Sequence, residues 1–424
     1  MREYLKRLPA DLKELISLTA QVSSQNKMPA YLVGGFVRDL ILGVNNLDLD
    51  IVVEADAIKF AEAVASRYGG KIISHKRFGT ATLVLDNYLK IDFATARKEA
   101  YPEPGSLPLV APASLKDDLA RRDFTINAMA ISLNAEEFGK LIDVFNGSED
   151  LKNKKIRILH DLSFLDDPTR ILRAIRFEQR YNFKIEAQTL KRLKEAVKAG
   201  MLERVQAQRW RDELVLVLKE DNTLKPVKRI NQLCGFSFLS PGFSVSKKTF
   251  SFFKSVGSEV LWFRQRYASR RKLDVWLMYF MVLVEPLSLA QAKSICNRYA
   301  LRRGEEKKIL DYRRIKRSLV AMLSRSQVRP SGIFKLLEPL SYEIILLLKA
   351  KYKNQNLQNN ISNFLKSYNG THVRISGGDL RRLGFKPGPR YQEVFQKILN
   401  AKLDGLIETR EEELALAQKI LKKK

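Results

Sequence analysis

The sequence predicts an α+β fold in which a β-containing portion of about 150 residues precedes an all-α remainder. Three observations carry that expectation. Strand-like runs fall only in the first portion: Tyr31 to Val33, Leu47 to Val53, Lys71 to Ser74, Ala81 to Leu85 and Tyr88 to Ala94, separated by Gly, Asp-Asn and helical segments. From about Leu151 onward that alternation fades, and helical periodicity with Lys/Arg-decorated faces takes over, as in Thr189 to Val197 and Gln208 to Lys219. A chain of 424 residues with 45% hydrophobic side chains also buries a sizeable core and suggests two or more compact units.

Polar or turn-rich breaks near Asp221-Asn222, Ser240-Pro241-Gly242, Arg329-Pro330-Ser331-Gly332 and Asn354 to Asn360 divide the helical part. No fixed-period repeat is visible. The end of the chain carries Gly377-Gly378 and Lys386-Pro387-Gly388-Pro389, then a helical run whose terminal Lys422 to Lys424 read as a solvated end. The most apolar run, Val275 to Val284, stops at Glu285-Pro286, which is too short for a bilayer and suits a buried helix. The opening stretch mixes Glu3, Asp11 and Glu14 with basic residues and does not read as a secretion signal. Cys234 and Cys296 are far apart and lack Cys-x-x-Cys spacing, so neither a disulfide framework nor a zinc site is expected, and a reducing cytoplasm fits.

A formal charge of +28, from 75 Lys+Arg against 47 Asp+Glu, exceeds what solubility needs and favours a polyanionic partner. Nucleic acid leads, although charge alone fits an anionic membrane surface or a ribosomal setting equally well. The motifs decide.

Leu32-Val-Gly-Gly-Phe-Val-Arg-Asp39, then Gly43 and Asp48-Leu-Asp50-Ile-Val-Val53, reads as strand, glycine turn, helix and strand. The period of two sends the carboxylates of Asp48 and Asp50 to one face. Such neighbours repel and raise each other's pKa unless a cation neutralises them, which argues for a divalent metal. Mg²⁺ suits oxygen ligands and shares its shell with substrate phosphates, and two ions would serve an in-line phosphoryl transfer. Gly34 and Gly35 lack a Cβ, so backbone N–H groups at the helix start can approach a triphosphate. Taken separately, each element reads as an ordinary turn or a pair of surface acids; their joint spacing is specific.

The stretch resembles the polymerase-beta nucleotidyltransferase superfamily, and its Gly-Gly-x-Val-Arg-Asp form is similar to class II tRNA nucleotidyltransferases and bacterial poly(A) polymerases. Arg121-Arg122-Asp123-Phe-Thr-Ile-Asn127 resembles that family's ribose-recognition motif, which implies that Asp123 holds the 2′-hydroxyl while Arg122 and Asn127 support the nucleotide and its phosphates. Asp166-Asp167-Pro-Thr-Arg170-Ile-Leu-Arg173-Ala-Ile-Arg176 resembles the base-reading motif, which implies that Asp167 and Arg170 act as an amino-acid template for CTP or ATP. An acceptor and a donor at i and i+3 of a helix share a face. Arg173 and Arg176 extend that basic side toward phosphates or toward solvent. The plainer readings are helix capping by Asp123 and by Asp167, the latter with Pro168 at the first helical position.

Asp143, Gly147, Asp150-Leu151 and Ile156-Arg157 resemble the linker motif, and Glu203 to Glu213 resembles the neck motif, with Gln208 where the family carries an acid. Asp92, in Lys90-Ile-Asp92-Phe, is placed on a neighbouring strand as a candidate third metal carboxylate. The end of the chain, from Gly378-Asp379-Leu380 to Thr409-Arg-Glu-Glu412, resembles the family's tail. The resemblance implies a polymerase-beta-like head over 1–150, a helical base-reading neck over 151–221, a helical body over 222–360 and a tRNA-binding tail over 361–424. Its implied partners are the 3′ end and acceptor arm of tRNA, with ATP and, as a second candidate, CTP; no membrane partner is implied.

Competing classes find less support. Gly69-Gly70-Lys71 does not complete a phosphate-binding loop of the Gly-x-x-x-x-Gly-Lys-Ser/Thr form. His160-Asp161 has only His75 and His372 as further histidines, too few and too scattered for a metal phosphohydrolase, and reads as a surface pair. A non-catalytic RNA binder would account for the basic clusters Arg264 to Lys272 and Arg313 to Arg317, the first interleaved with Trp262, Phe263 and Tyr267, but not for two acids in one strand. Within the family, CCA addition, CC addition, A addition and poly(A) synthesis all remain open. Lys98 to Leu115, with Pro104-Gly-Ser-Leu-Pro108, occupies the place of the family's flexible loop. Its length argues against CC-only addition, and its wording resembles the branch containing A-adding enzymes.

Overall fold

The computed structural model describes residues 1–44, 48–87, 89–267 and 272–422. Leu47 and Tyr88, which open two of the expected strand runs, lie outside the described residues, as do 268–271 of the basic cluster Arg264 to Lys272 and the last two lysines. The chain divides into two compact units, Met1–Ser244 and Val245–Lys424.

The first unit is built on a mixed sheet. Its strands are β1 (Ala30–Val33), β2 (Leu49–Val53), β3 (Lys71–His75), β4 (Thr80–Val84), β5 (Lys90–Thr95), a β6–β7 hairpin (Arg97–Ala100 and Leu109–Pro112), β8 (Ala130–Ser132) and β9 (Leu141–Ile142). The seven-stranded sheet runs β3-β4-β5-β2-β1-β8-β9, and the hairpin stands apart from it. Among the described strands of that sheet only β2 and β5 pair in parallel, and that register sets Asp50 directly beside Asp92. The helix Ala57–Tyr68 buries Phe60, Ala61 and Val64 against the sheet, with the Phe60 and Phe93 rings 5.7 Å apart. Asp56 starts it by accepting from the Ile58 and Lys59 amides, satisfying donors that a helix end leaves unpaired.

Sequence reading found the first five strands and missed the hairpin, β8 and β9. β8 is three residues long and fully buried on both faces, so it shows no alternation. The part beyond Leu151 is mostly helical, with one exception: Lys155–Ile156 (β10) and Lys184–Ile185 (β11) form a short parallel pair. The periodic runs fold as the helices Ala187–Lys198 and Ala207–Leu218.

In the second unit the apolar run forms the helix Val275–Leu283, buried from Leu277 to Leu283, and no described helix is long and apolar enough to cross a membrane. Two expected breaks are instead helix starts. Pro330 occupies the first turn of Pro330–Leu337, where its missing N–H costs nothing. Asn354 accepts from the Leu357 amide to cap Gln355–Asn363, so the asparagine-rich run is a cap and a helix. Near the end of the chain, Ile375, Leu380, Phe385, Val394, Ile398 and Ala417 form a separate core cluster. There the buried Glu413 carboxylate accepts from the Arg374 and Ile375 amides and from Lys402.

Candidate active site

A turn at Gly34, φ +68° and ψ −132°, carries β1 into the helix Gly35–Leu42. That conformation favours glycine, and a Cβ there would stand 2.7 Å from Arg122 Nη1 and 3.7 Å from Asp50 Oδ2. The missing side chain therefore lets an arginine and a strand carboxylate meet at the start of a helix.

This junction forms one wall of a cavity of about 640 Å³. Every site residue expected from sequence except Asp92 lines it: Gly34, Gly35, Arg38, Asp48, Asp50, Arg122, Asp123, Asn127, Asp167, Arg170, Arg173 and Arg176. Asp50 in β2 and Asp48, one residue before that strand begins, share it. Burial pushes the Asp50 carboxyl up to about 6; Asp92 and Asp48 add to the rise, while Arg122 and Arg38 oppose it. Asp92, beside Asp50 in the sheet, accepts from Thr82 Oγ1 at 2.5 Å.

The remaining groups are fixed by one another. Arg38 is buried and forks onto Asp39 at 2.8 and 2.9 Å, donates to Asn127 Oδ1 at 2.5 Å and lies over the Phe177 and Tyr181 rings. Asp123 is also buried. Its Oδ1 accepts from the Phe124 amide and from Asn127, and its Oδ2 accepts twice from Arg173, at 2.9 and 2.7 Å. Burial alone would raise its pKa; Arg173 and Asn127 outweigh it and hold the carboxyl down at about 2. Arg173 also meets Glu213 at 3.0 Å, and Arg176 approaches Glu220 at 3.5 Å, so neither simply faces solvent.

Asp167 and Arg170 line the cavity together, but not through helix register. Asp167 is extended, with φ −133°, and the helix Arg170–Arg180 begins only after it. Asp167 Oδ1 accepts from the amide and hydroxyl of Thr169 and pairs with Arg209 at 2.7 Å. Arg170 is tied to the Ser163 hydroxyl and the Arg121 carbonyl, both at 2.7 Å. A three-residue turn closed by Pro168 thus does what the i, i+3 spacing was expected to do. Asp123 accepts from its own neighbouring amide and begins no α-helix.

In the linker-like stretch, Asp143 caps the helix Gly147–Lys152 through the Gly147 and Ser148 amides. Asp150 there takes Arg157 and the Thr125 hydroxyl. His160 stands 3.9 Å from Asp166, and Asp161 pairs with Arg192, an arrangement far from His75 and His372 in sequence.

Sequence reasoning missed Glu99 and Tyr101 as cavity residues, and named Arg121 and Glu213 only within motifs. Glu99 gathers Arg97, Arg121 and the Tyr101 hydroxyl at 2.9 to 3.1 Å. The alternation of Arg97, Glu99 and Tyr101 along β6 and just after it carries no signal that separates them from a solvated edge. Among the described residues no group of three or more His, Cys, Asp or Glu is placed to hold a metal ion.

A mixed sheet that brings paired strand carboxylates, a glycine turn at a helix start and a belt of guanidiniums to one cavity defines a polymerase-beta-like nucleotidyltransferase head. Residues 30–157 match the Poly A polymerase head domain. The chain is 39% identical over 420 residues to an A-adding tRNA nucleotidyltransferase of Geobacter sulfurreducens, covering 98% of this chain and 48% of the relative. It thus spans about half the length of that curated relative. An A-adding tRNA nucleotidyltransferase of Halalkalibacterium halodurans is 31% identical over 424 residues, covering 98% of this chain and 94% of its own. The Thermotoga maritima CCA-adding enzyme complexed with tRNA superposes with a TM-score of 0.75 at 38% identity, covering 99% of this chain and 98% of that one. The chain belongs to the family of tRNA nucleotidyltransferases and poly(A) polymerases.

Proposed function

We propose that this protein is a Mg²⁺-dependent tRNA nucleotidyltransferase that extends the tRNA 3′ end from ATP, with CTP a second candidate substrate, and without a nucleic-acid template. The supporting observation is the convergence of Asp48 and Asp50 with the Gly34 turn and the arginine belt on one cavity. Among its described lining residues, seven arginines (38, 121, 122, 170, 173, 176 and 180) face seven carboxylates (39, 48, 50, 99, 123, 167 and 213). The protein's own charges therefore balance, and a triphosphate bringing about four negative charges needs added cations, which two Mg²⁺ ions supply. The desolvated Asp50 carboxylate fits the same need, because a bound cation would offset the burial that chiefly raises it and the smaller repulsion from Asp92 and Asp48.

Asp48 and Asp50 would hold the ions, with Asp92 beside Asp50 as a further carboxylate. Bound metal would activate the attacking 3′-hydroxyl and stabilise the departing pyrophosphate. Gly34 and Gly35 present backbone N–H groups to phosphate, and Arg38 and Arg122 supply charge behind them. Asp123 takes the ribose 2′-hydroxyl by exchanging one of its two Arg173 contacts, with Asn127 keeping its other oxygen oriented. The contacts made by Asp167 all fall on Oδ1, so Oδ2 can accept from a base amine while Arg170 donates to a ring nitrogen or carbonyl. Arg173 and Arg176 complete the belt.

We assign 1–150 to the head, 151–221 to the neck, 222–360 to the body and 361–424 to the tail, the last two contacting the acceptor arm through phosphates. Arg314, Lys316 and Arg317 are exposed and suit that role; Arg313 does not, because it donates to the Glu285 and Leu287 carbonyls. The unpaired cysteines support a cytoplasmic setting.

The test offers tRNA ending at the discriminator base, at C or at CC with labelled ATP or CTP, followed by product sequencing. Addition of a single A to tRNA-CC alone is the expected result, supported by the A-adding relatives. Long A tails on unrelated RNA would make it a poly(A) polymerase. Asp48→Ala and Asp50→Ala should abolish incorporation and leave tRNA binding nearly intact; turnover in both would refute the metal assignment, and retained RNA binding with no wild-type transfer would leave only a basic RNA binder.

A further inference from the structure

The nucleobase of a bound nucleotide needs a partner for its flat face, and the cavity offers little choice. Among the described lining residues the aromatic side chains are Phe177 and Tyr101. Phe177 is 4% exposed, and the guanidiniums of Arg38, Arg173 and Arg176 lie 4.6 to 5.7 Å from its ring centre, so its surface is taken. Tyr101 is only partly buried. It follows β6, at the base of the loop that closes the hairpin. Its hydroxyl donates to Glu99 Oε2 at 2.9 Å, and Glu99 Oε1 accepts from Arg121, whose backbone carbonyl accepts from Arg170. The ring is thus anchored at its far end within the same network that holds Arg170, and its hydroxyl senses the charges of both Arg170 and Asp167.

We propose that Tyr101 is a base-stacking residue of the nucleotide site, presenting its ring to the adenine or cytosine whose edge Asp167 and Arg170 read. This rests on the proposed nucleotidyl transfer for its substrate class. Stacking accepts any base, so it supplies affinity and holds the base plane while the polar pair discriminates. The Glu99 tether fixes the ring before the nucleotide arrives, which reduces what binding must order.

The test compares wild type with Tyr101→Ala, Tyr101→Leu, Tyr101→Phe and Tyr101→Trp. Mg·ATP binding is measured by calorimetry without tRNA, and KM and kcat are measured with tRNA-CC. Alanine and leucine should weaken ATP binding and raise its KM on the order of ten- to hundredfold, with the KM for tRNA unchanged. Phenylalanine and tryptophan should stay within about threefold of wild type, since an aromatic face is kept. Leucine preserves bulk, so its loss together with an unchanged melting temperature separates stacking from packing. The inference is overturned if phenylalanine is as impaired as alanine, which would make the Glu99 tether the function, or if leucine binds ATP like wild type. If wild type binds ATP yet transfers nothing to RNA, the proposed function fails while calorimetry still decides the role of Tyr101.

Discussion

Arg209 Nη2 stands 2.7 Å from Asp167 Oδ1, and its Nη1 donates to the Gly105 carbonyl at 3.1 Å. One guanidinium thus joins the proposed base-reading acid to the tip of the loop after β6, whose Gly105 amide in turn donates to the Leu165 carbonyl. The arrangement gives the neck-like motif a physical role, because it sets where the second oxygen of Asp167 points.

Arg209→Ala should therefore blur base choice more than it lowers stability. The ratio of kcat/KM for ATP over GTP should fall about tenfold, the scale of losing one charge-assisted contact of about 1–2 kcal/mol. Arg209→Lys should recover little, because a lysine cannot fork between a carboxylate and a carbonyl. An unchanged ratio would show that Asp167 is placed by the Thr169 contacts alone.

Gly34→Ala should damage both stability and turnover. The residue sits at φ +68°, and its Cβ would press within 2.7 Å of Arg122 Nη1. The conformational cost is about 1–2 kcal/mol, and relief by moving Arg122 would displace the guanidinium whose charge most favours the ionised Asp50. Chemical denaturation and single-turnover incorporation should both register the change; loss of stability with full activity would separate the turn from the site.

Gly147→Ala should be costlier still, although it touches no cavity residue. A Cβ there would lie 2.2 Å from the Thr125 carbonyl oxygen and 2.9 Å from its carbon, backbone that cannot rotate away. Thr125 is pinned by Asp150, which also holds Arg157. A loss of about 3 kcal/mol is expected, the upper range for overpacking, read as a lowered denaturation midpoint.

The pair Asp123–Arg173 should make stability acid-sensitive. The folded-state pKa of Asp123, about 2, lies below its ordinary 3.8, so its contribution is complete above 3.8 and is lost as pH falls toward about 2. The shift corresponds to about 2 kcal/mol. The stability advantage of wild type over Asp123→Asn should shrink between about pH 5 and about pH 2; a constant difference across that window would mean that Arg173 does not favour the charged form.

Much of the fold was legible because the decisive patterns are contiguous. β1, the Gly34 turn, the helix Gly35–Leu42 and β2 lie within 24 residues, Ala30 to Val53, so alternation, a glycine and helix periodicity each speak for themselves. Asp48 and Asp50 were readable for the same reason, since a period of two is a local property of strands. Reading failed where the local signal was absent or belonged to another element. Asn354 to Asn360 looked like a loop because asparagine favours caps and turns, and one of them is indeed a cap, with the helix following it. The helix register assumed for Asp167 and Arg170 failed because Pro168 disfavours helical geometry in the residue before it, leaving Asp167 extended.

The sequence by itself determined the family: two acids two residues apart, a glycine turn at a helix start, and arginine-rich motifs in a fixed order along a strongly basic chain. Only the tertiary structure decided which groups hold those residues in place. Asp92 meets Asp50 because β5 returns parallel to β2, Glu213 and Arg209 reach back to Arg173 and Asp167, and Tyr101 arrives at the cavity on a hairpin outside the main sheet. Such contacts join segments 40 to 104 residues apart, and their geometry is set by how helices and strands pack, which periodicity within any one segment does not encode.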